Sequence, residues 1–415
     1  MSPAALDLGE LGLDGGAHLL LRRTLGPMRP GEHLRVRGRD PALPVHLAAW
    51  CRTEGHHLAW PGAGRARPEP GSGAGEHAPA DRADVPDALI VRGDRQDLRW
   101  LGAARAGATG AVQSRPPAAW GMAARGALLE AGGPEPYFDL DDRDLVWSDV
   151  APRLYAHAAA RQWDPATAVP WVEPFTLADD VEAAVVQVMT YLVENEQVAL
   201  LVPARFLGRI HPHFREVVQL LAVQVADEAR HMEIFTRRAM LRGDALGTSS
   251  AGGRASLFTL VEESDFSLAS FLLSVLGEGT FVDLLGFIAQ HAPDPVTRRV
   301  AWLAMQDERR HVLFGVAHLA QHARLEPGLR DRLRAAVERR YEALRDTAGL
   351  NADVLDALVV LAAGEWTPGA IGTGYRRVRQ LERQMDEGRR RRLERLGFPA
   401  DEAASLSALH TRNFM

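Results

Sequence analysis

The chain's 415 residues carry a formal net charge of -6, with 46% hydrophobic and 25% charged residues, an ordinary balance with no basic excess that would point to nucleic acid. All 48 basic residues are arginine, which excludes a Schiff-base lysine, a P-loop lysine and a lysine general base. The single cysteine, Cys51, excludes an intramolecular disulfide and thiolate zinc or iron–sulfur sites, and it suits a cytoplasmic location.

The opening MSPAALDLGELGLD lacks the basic start and apolar core of a signal peptide. No run of about 18 apolar residues stands out, so no membrane span is expected. Residues 1–60 read as a small α/β unit. AHLLLRRTLGPM has helical spacing, PGEHLRVRG is a turn and a strand, DPALPVHLAAWCRTEG a turn and a second helix, and HHLAW a closing strand. Residues 61–85, dense in Pro, Gly and Ala, read as a flexible linker. Residues 86–160 form a small mixed extension, with short strands expected at 87–93, 110–114 and 145–149 and a helix near 120–130.

Residues 161–415 are the main helical domain. Long helices are expected over about 177–206, 213–243, 265–291 and 294–323, followed by shorter ones near 327–347, 351–363 and 374–396. HPH, GDALGTSSAGG, APDP and EPG punctuate them. The stretch RRVRQLERQMDEGRRRRLERLG mixes acids with its arginines and reads as a solvated amphipathic helix.

Two segments mirror each other. ADEARHM places Asp227, Glu228, Arg230 and His231; QDERRHV places Asp307, Glu308, Arg310 and His311. In each, Glu and His are three apart and share a helix face. That face is apolar: Val218, Leu221, Val225, Met232 and Phe235 surround the first, and Ala301, Ala304, Met305, Val312 and Gly315 the second. A carboxylate in an apolar stripe is costly unless paired or bound to metal. The preceding helix of each pair offers one more, Glu196 and Glu278. Glu196 and Glu228 are 32 residues apart and Glu278 and Glu308 are 30 apart. At about 1.5 Å rise per residue, that carries the chain up one helix, round a turn and back to the same level. Glu194 competes with Glu196 but sits about 160° around the helix on a more polar side, so Glu196 is preferred. Arg230 and Arg310 are surface or ion-pair residues, with buried pairing to the aspartates as the alternative.

A Glu on each of two helices and a Glu-x-x-His on each of two others resembles the dinuclear carboxylate site of the ferritin-like superfamily, across roughly residues 177–323. The resemblance is to its oxygen-activating branch, which includes the bacterial multicomponent monooxygenases and the ribonucleotide reductase radical subunit. It implies a mainly α chain: a ferritin-like four-helix bundle with extra C-terminal helices. Glu228 and Glu308 would bridge two metals, Glu196 and Glu278 would be terminal ligands, and His231 and His311 would bind one metal each. Asp227 and Asp307 resemble the outer aspartates that orient the opposing histidines. The radical subunit has a tyrosine where this chain has Phe235. The p-aminobenzoate N-oxygenase branch has an extra histidine where this chain has Ala304. A stored tyrosyl radical and a seventh ligand are therefore not expected.

The first 60 residues resemble the small TusA/SirA sulfur-carrier family, through LLLRRTLGPMRPGEHLRV, DPALPVHLAAWC and EGHHL. That family's Cys-Pro-x-Pro falls here at Asp14-Gly15-Gly16-Ala17, and Cys51 lies elsewhere in the pattern. The unit is thus read as degenerate, either a docking or lid domain or a stabilising appendage.

The resemblance implies a di-iron oxygenase or oxidase using O2 on a small organic substrate, as a monooxygenase, hydroxylase or N-oxygenase. The cofactor would be two iron ions or a manganese–iron pair, with electrons supplied from outside by a ferredoxin or reductase. Val193, Leu200, Val225, Phe235, Val275 and Phe281 are expected to shape the pocket. Gly277 and Gly279, beside Glu278, mark either a distorted helix that admits substrate or simple close packing. The alternative function is iron oxidation or iron binding without an organic substrate. No nucleic acid or membrane partner is expected, and a homodimer is compatible.

Overall fold

The computed structural model describes residues 4–61, 87–345 and 352–414. The chain divides into two compact units, one drawn from residues up to 106 with 127–133, the other from 107–126 with 134 onward.

The first unit runs β1 (Ala4–Asp7), α1 (Ala17–Leu25), β2 (His33–Arg37), α2 (Leu43–Glu54), β3 (His57–Ala59), β4 (Ala88–Val91), α3 (Arg95–Arg99), β5 (Ala104–Arg105) and β6 (Leu128–Leu129). β1 to β4 form one sheet in the order β1-β2-β4-β3, with β2 parallel to β1 and antiparallel to β4. The pattern in β2 is strict alternation. Leu34 and Val36 are buried, and His33, Arg35 and Arg37 face solvent, as a one-sided sheet requires. Leu21, Leu25, Leu47 and Cys51 from the two helices close the core over that face. β4 comes from beyond the expected linker, so the sheet is not finished at residue 60. Apart from Pro61, the linker over 61–85 lies outside the described residues.

Of the extension's expected elements, 87–93 contains β4, but 110–114 is irregular and 118–120 is only a single 3-10 turn. Pro116 and Pro117 cannot donate to a ladder or continue a helix. The strand expected at 145–149 is instead the end of α4 (Arg143–Val146). Asp142 caps that helix by accepting the Asp144 N–H at 3.0 Å.

The second unit is helical: after α4 come α5 (Ala151–Ala160), α6 (Asp179–Leu207), α7 (Arg215–Ala239), α8 (Ala251–Glu262), α9 (Phe266–Ser270), a π-helical stretch (Phe271–Glu278), α10 (Gly279–His291), α11 (Pro295–Leu325), α12 (Leu329–Leu344), α13 (Ala352–Ala363), α14 (Pro368–Arg395) and α15 (Ala400–Phe414). The molecule is therefore mainly α with a small N-terminal α/β unit, as expected. α5, α8 and α15 were not foreseen. Gly252 and Gly253 disguise the start of α8, where Ser250 accepts the Gly253 N–H at 2.9 Å.

α6 and α7 are antiparallel: Glu182 of α6 meets Arg238 of α7, and further along Glu196 meets His231. α10 and α11 pair likewise, with Gly286 against Met305, and Gly315 against Ser274 of the π-helical stretch. The segment Phe266–His291, at mean hydropathy 1.7, is long and apolar enough to cross a membrane by composition, but 83% of that window is buried inside the bundle.

One end of the bundle is tied by a buried ion cluster. Arg238, with no exposed surface, donates to Glu182 at 2.7 Å, to Asp294 at 2.9 Å and to Thr297 at 2.7 Å. It thereby joins α6, α7 and the capped start of α11. Removing one member strands the others without water. Arg238→Met is expected to cost about 3–5 kcal/mol in urea unfolding, while metal content stays unchanged. A loss under about 1 kcal/mol would show that the cluster is solvated.

Candidate metal centre

Glu196 on α6, Glu228 and His231 on α7, Glu278 at the end of the π-helical stretch, and Glu308 and His311 on α11 meet at one level. None is more than 4% exposed. They form two overlapping groups, Glu196–Glu228–His231–Glu308 and Glu228–Glu278–Glu308–His311, each with ligand atoms within 4.8 Å of one another. Glu228 and Glu308 belong to both groups. The cluster can hold two metal ions that share these two carboxylates.

The imidazoles are held from behind. His231 Nε2 lies 3.2 Å from Asp307 and His311 Nε2 lies 3.1 Å from Asp227, so each aspartate serves the histidine of the opposite helix. This leaves Nδ1 facing inward, 3.0 Å from Glu228 in both cases. Arg230 and Arg310 are not surface residues: each pairs with its own aspartate and reaches the other, at 3.3 Å and 3.2 Å. The sequence repeat thus becomes a crossed Asp–Arg network.

Two inward oxygens, Glu196 Oε1 and Glu278 Oε2, have no hydrogen-bond partner, while Glu228 Oε1 and Glu308 Oε2 meet only His311 Nδ1, at 3.0 Å and 3.3 Å and without hydrogen-bond alignment. Buried polar atoms are rarely left unsatisfied. Here they converge on one space, which is the arrangement a pair of divalent cations would complete. Four carboxylates with two imidazoles suit iron or manganese and do not suit copper(I).

Three further residues belong to this centre and were not foreseen. The Trp163 indole N–H donates to Asp307 at 2.8 Å, its ring stacks on His231 at 6.4 Å between centroids, and Arg230 covers it. Trp163 lies in an aperiodic segment after α5, where pattern carries no signal. Gln224 donates to Glu278 at 2.9 Å. It stands one turn before Glu228 on the same face, so a buried amide in an apolar stripe was a readable sign. The Ser274 hydroxyl also bonds Glu278.

The π-helical stretch over Phe271–Glu278 settles the question raised by the glycines. The helix is distorted there, and the close packing is real as well. A Cβ on Gly279 would meet Arg392, and one on Gly315 would lie 2.6 Å from Ser274 Cβ. Such stretches re-aim side chains within a helix, here Glu278.

A pocket opens beside the carboxylates, on the side away from the histidines. It is lined by Asn195, Glu196, Ala199, Leu257, Leu260, Leu273, Gly277, Glu278, Phe281 and Glu308 and spans about 360 Å³ in all. Only about 20 Å³ of it is open to the centre of a water molecule, room for about one water. Of the six expected wall residues only Phe281 lines it; Leu257 and Leu260 of α8, Ala199 of α6 and Leu273 of the π-helical stretch supply the rest of the apolar wall. Glu194 instead lines a separate pocket with Gln187 and Thr248.

No family model matches this sequence and no curated protein matches it. Solved structures of an R2-like ligand-binding oxidase are similar. The one with an aerobically reconstituted metal cofactor after photoconversion is 16% identical, covers 65% of this chain and 94% of its own, and has a TM-score of 0.40. A long-soak form with an aerobically reconstituted Mn/Fe cofactor is 17% identical over 65% and 94%, with a TM-score of 0.36. At these scores the likeness carries no weight for the chemistry, which rests on the side chains in place.

Without metal the cluster redistributes protons. Burial, then repulsion from Glu308, pushes the Glu278 carboxyl up to about 8. Burial also drives Glu196 well above the carboxylate range. Burial alone would lower both histidines, but facing carboxylates outweigh it: Glu196 holds His231, and Glu228 and Glu308 hold His311, well above the usual 6.5. Glu308 goes the other way, down to about 2, because His311 and His231 overcome its burial.

The sign of the pH effect follows. Groups whose folded pKa is raised stabilise fully below their unfolded value and lose that contribution as pH rises through the folded one. For Glu278 that window runs from the ordinary 4.5 to about 8, and for the histidines it starts at 6.5. The metal-free protein should therefore lose thermal stability from pH 6.5 to 8, and the metal-loaded protein should not. Parallel melting curves for the two forms would contradict this. Glu228→Ala should lower bound metal from two per chain and abolish any metal-dependent reaction together, measured by elemental analysis. Retention of both metals would remove Glu228 from the shared position.

Proposed function

We propose that this chain is a dinuclear metal oxidoreductase that uses O2 to oxidise a small organic substrate. The carrying observation is the pair of buried ligand sets sharing Glu228 and Glu308, opening on an apolar pocket. Bound iron, or a manganese–iron pair, would supply the O2 activation and the electrons exchanged with it. Glu196, Glu228, His231, Glu278, Glu308 and His311 would hold the metals, and they would give up protons on loading. Asp227 and Asp307 fix the imidazoles so that Nδ1 points inward. Leu257, Leu260, Leu273 and Phe281 exclude water and meet the substrate's apolar part. Phe235, buried against His231, offers no phenol to oxidise, and buried Ala304 adds no ligand, which supports six protein ligands.

This supports an oxygenase or oxidase of the hydroxylating or N-oxygenating kind, reduced from outside by a ferredoxin or reductase. Residues 1–60 are best read as a degenerate sulfur-carrier-like domain. Asp14 stands in the nucleophile's place, and burial pushes the Cys51 thiol up to about 12, which leaves it inert. A second reading, iron oxidation without an organic substrate, is favoured by the narrowness of the pocket, which must widen to take more than about one water.

The two readings separate on one experiment. Protein loaded anaerobically with Fe(II) is mixed with O2 in a stopped flow, with and without candidate metabolites. The proposal expects a substrate that accelerates decay of the oxidised species, and a Leu257→Phe variant that loses this acceleration about tenfold or more while taking up iron normally. Iron oxidation indifferent to every organic compound and to Leu257→Phe would favour the second reading.

A further inference from the structure

Behind the metal centre, α10, α11 and α14 diverge to leave a valley. Two cavities of about 690 Å³ and 320 Å³ fill it, and they share Asp283, Arg309 and Arg391. Arginines 309, 377, 391, 392 and 395 line it against two acids, Asp283 and Glu387. The lining is therefore cationic on a chain whose formal charge is -6. Arg309, Arg391 and Arg395 are exposed, and among the described residues no carboxylate lies within ion-pairing distance of them.

The sequence suggested a solvated amphipathic helix for this part of α14. Instead, one stripe of it, from Arg377 to Arg395, faces the valley. At about 1.5 Å per residue that stripe is roughly 27 Å long, too long for a single small anion and comparable to one side of a protein interface. Leu313 on α11, 44% exposed, lies in its floor. An apolar centre rimmed by charge is the composition of a docking face.

The valley also backs directly onto the metal centre. On α11, Arg309 faces the valley, and the residue before it, Glu308, faces the metals. Arg392 passes under Gly279 and donates to the Val275 carbonyl at 2.7 Å, within the π-helical stretch that ends in Glu278.

We propose that this valley is the docking surface for an acidic protein that delivers electrons to the metal centre. The inference rests on the oxidoreductase reading for the word electrons, but not for the docking. Complementary charge would speed encounter and make it salt-dependent.

The probe is an acidic plant-type [2Fe–2S] ferredoxin. Its association is measured by calorimetry with metal-free and with iron-loaded protein, and its electron transfer by stopped flow with loaded protein, against dithionite as a small reductant. Binding is expected to weaken steeply from 50 to about 300 mM salt. Arg391→Glu with Arg395→Glu should weaken it about tenfold or more and slow reduction by ferredoxin equally, leaving reduction by dithionite unchanged. Arg391→Gln with Arg395→Gln should give a smaller loss in the same direction. No binding of the acidic protein, binding indifferent to salt and to both variants, or saturation of the valley by inorganic phosphate alone would overturn the proposal. Failure of iron loading would sink the oxidoreductase reading, yet binding to the metal-free protein would still test the docking surface.

Discussion

Everything in the second unit is arranged around an electrostatic debt. Four carboxylates and two imidazoles sit in an apolar bundle with almost no access to water. Isolated, each ionised acid would cost several kcal/mol or shift its pKa until neutral. In the metal-free protein the raised carboxyls of Glu196 and Glu278 follow the second course, while the raised histidines carry positive charge against the ionised Glu308. Two divalent cations resolve the same problem without protons. Glu196 Oε1 and Glu278 Oε2, left without hydrogen-bond partners at the centre, are the mark of a site shaped for them.

The surrounding structure holds this cluster rigid. Asp227, Asp307, Arg230 and Arg310 form a crossed network that fixes both histidines from outside. Trp163 closes it with a hydrogen bond, and Arg238 locks one end of the bundle. On the opposite side the helix carrying Glu278 takes π-helical form, Gly279 and Gly315 admit close neighbours, and the short helix α8 adds Leu257 and Leu260 to the pocket wall. The histidine side is tied by ion pairs, and the carboxylate side carries the helical distortion and the pocket.

Much of this was legible before any coordinates. The two Asp-Glu-x-Arg-His segments and the near-equal separations to Glu196 and Glu278 state the centre in one dimension, because helix rise converts sequence spacing directly into height. What stayed hidden depends on contacts distant in sequence. Trp163 meets Asp307 across 144 residues, and β4 joins its sheet from beyond the linker. The valley on α14 appears only once α10 and α11 are set against it. α8 escaped because its first turn holds two glycines. The π-helical stretch was half visible: the glycines flanking Glu278 signalled an irregularity but not its form.

The most direct test of the central claim is anomalous scattering at the iron edge from crystals soaked anaerobically in Fe(II). Two peaks of comparable height, about 3.5–4 Å apart and flanked by Glu228 and Glu308, are the result this account predicts. A chain with no iron among these six side chains, or with iron held instead at Asp14, Asp40 and His46 in the first unit, would contradict it.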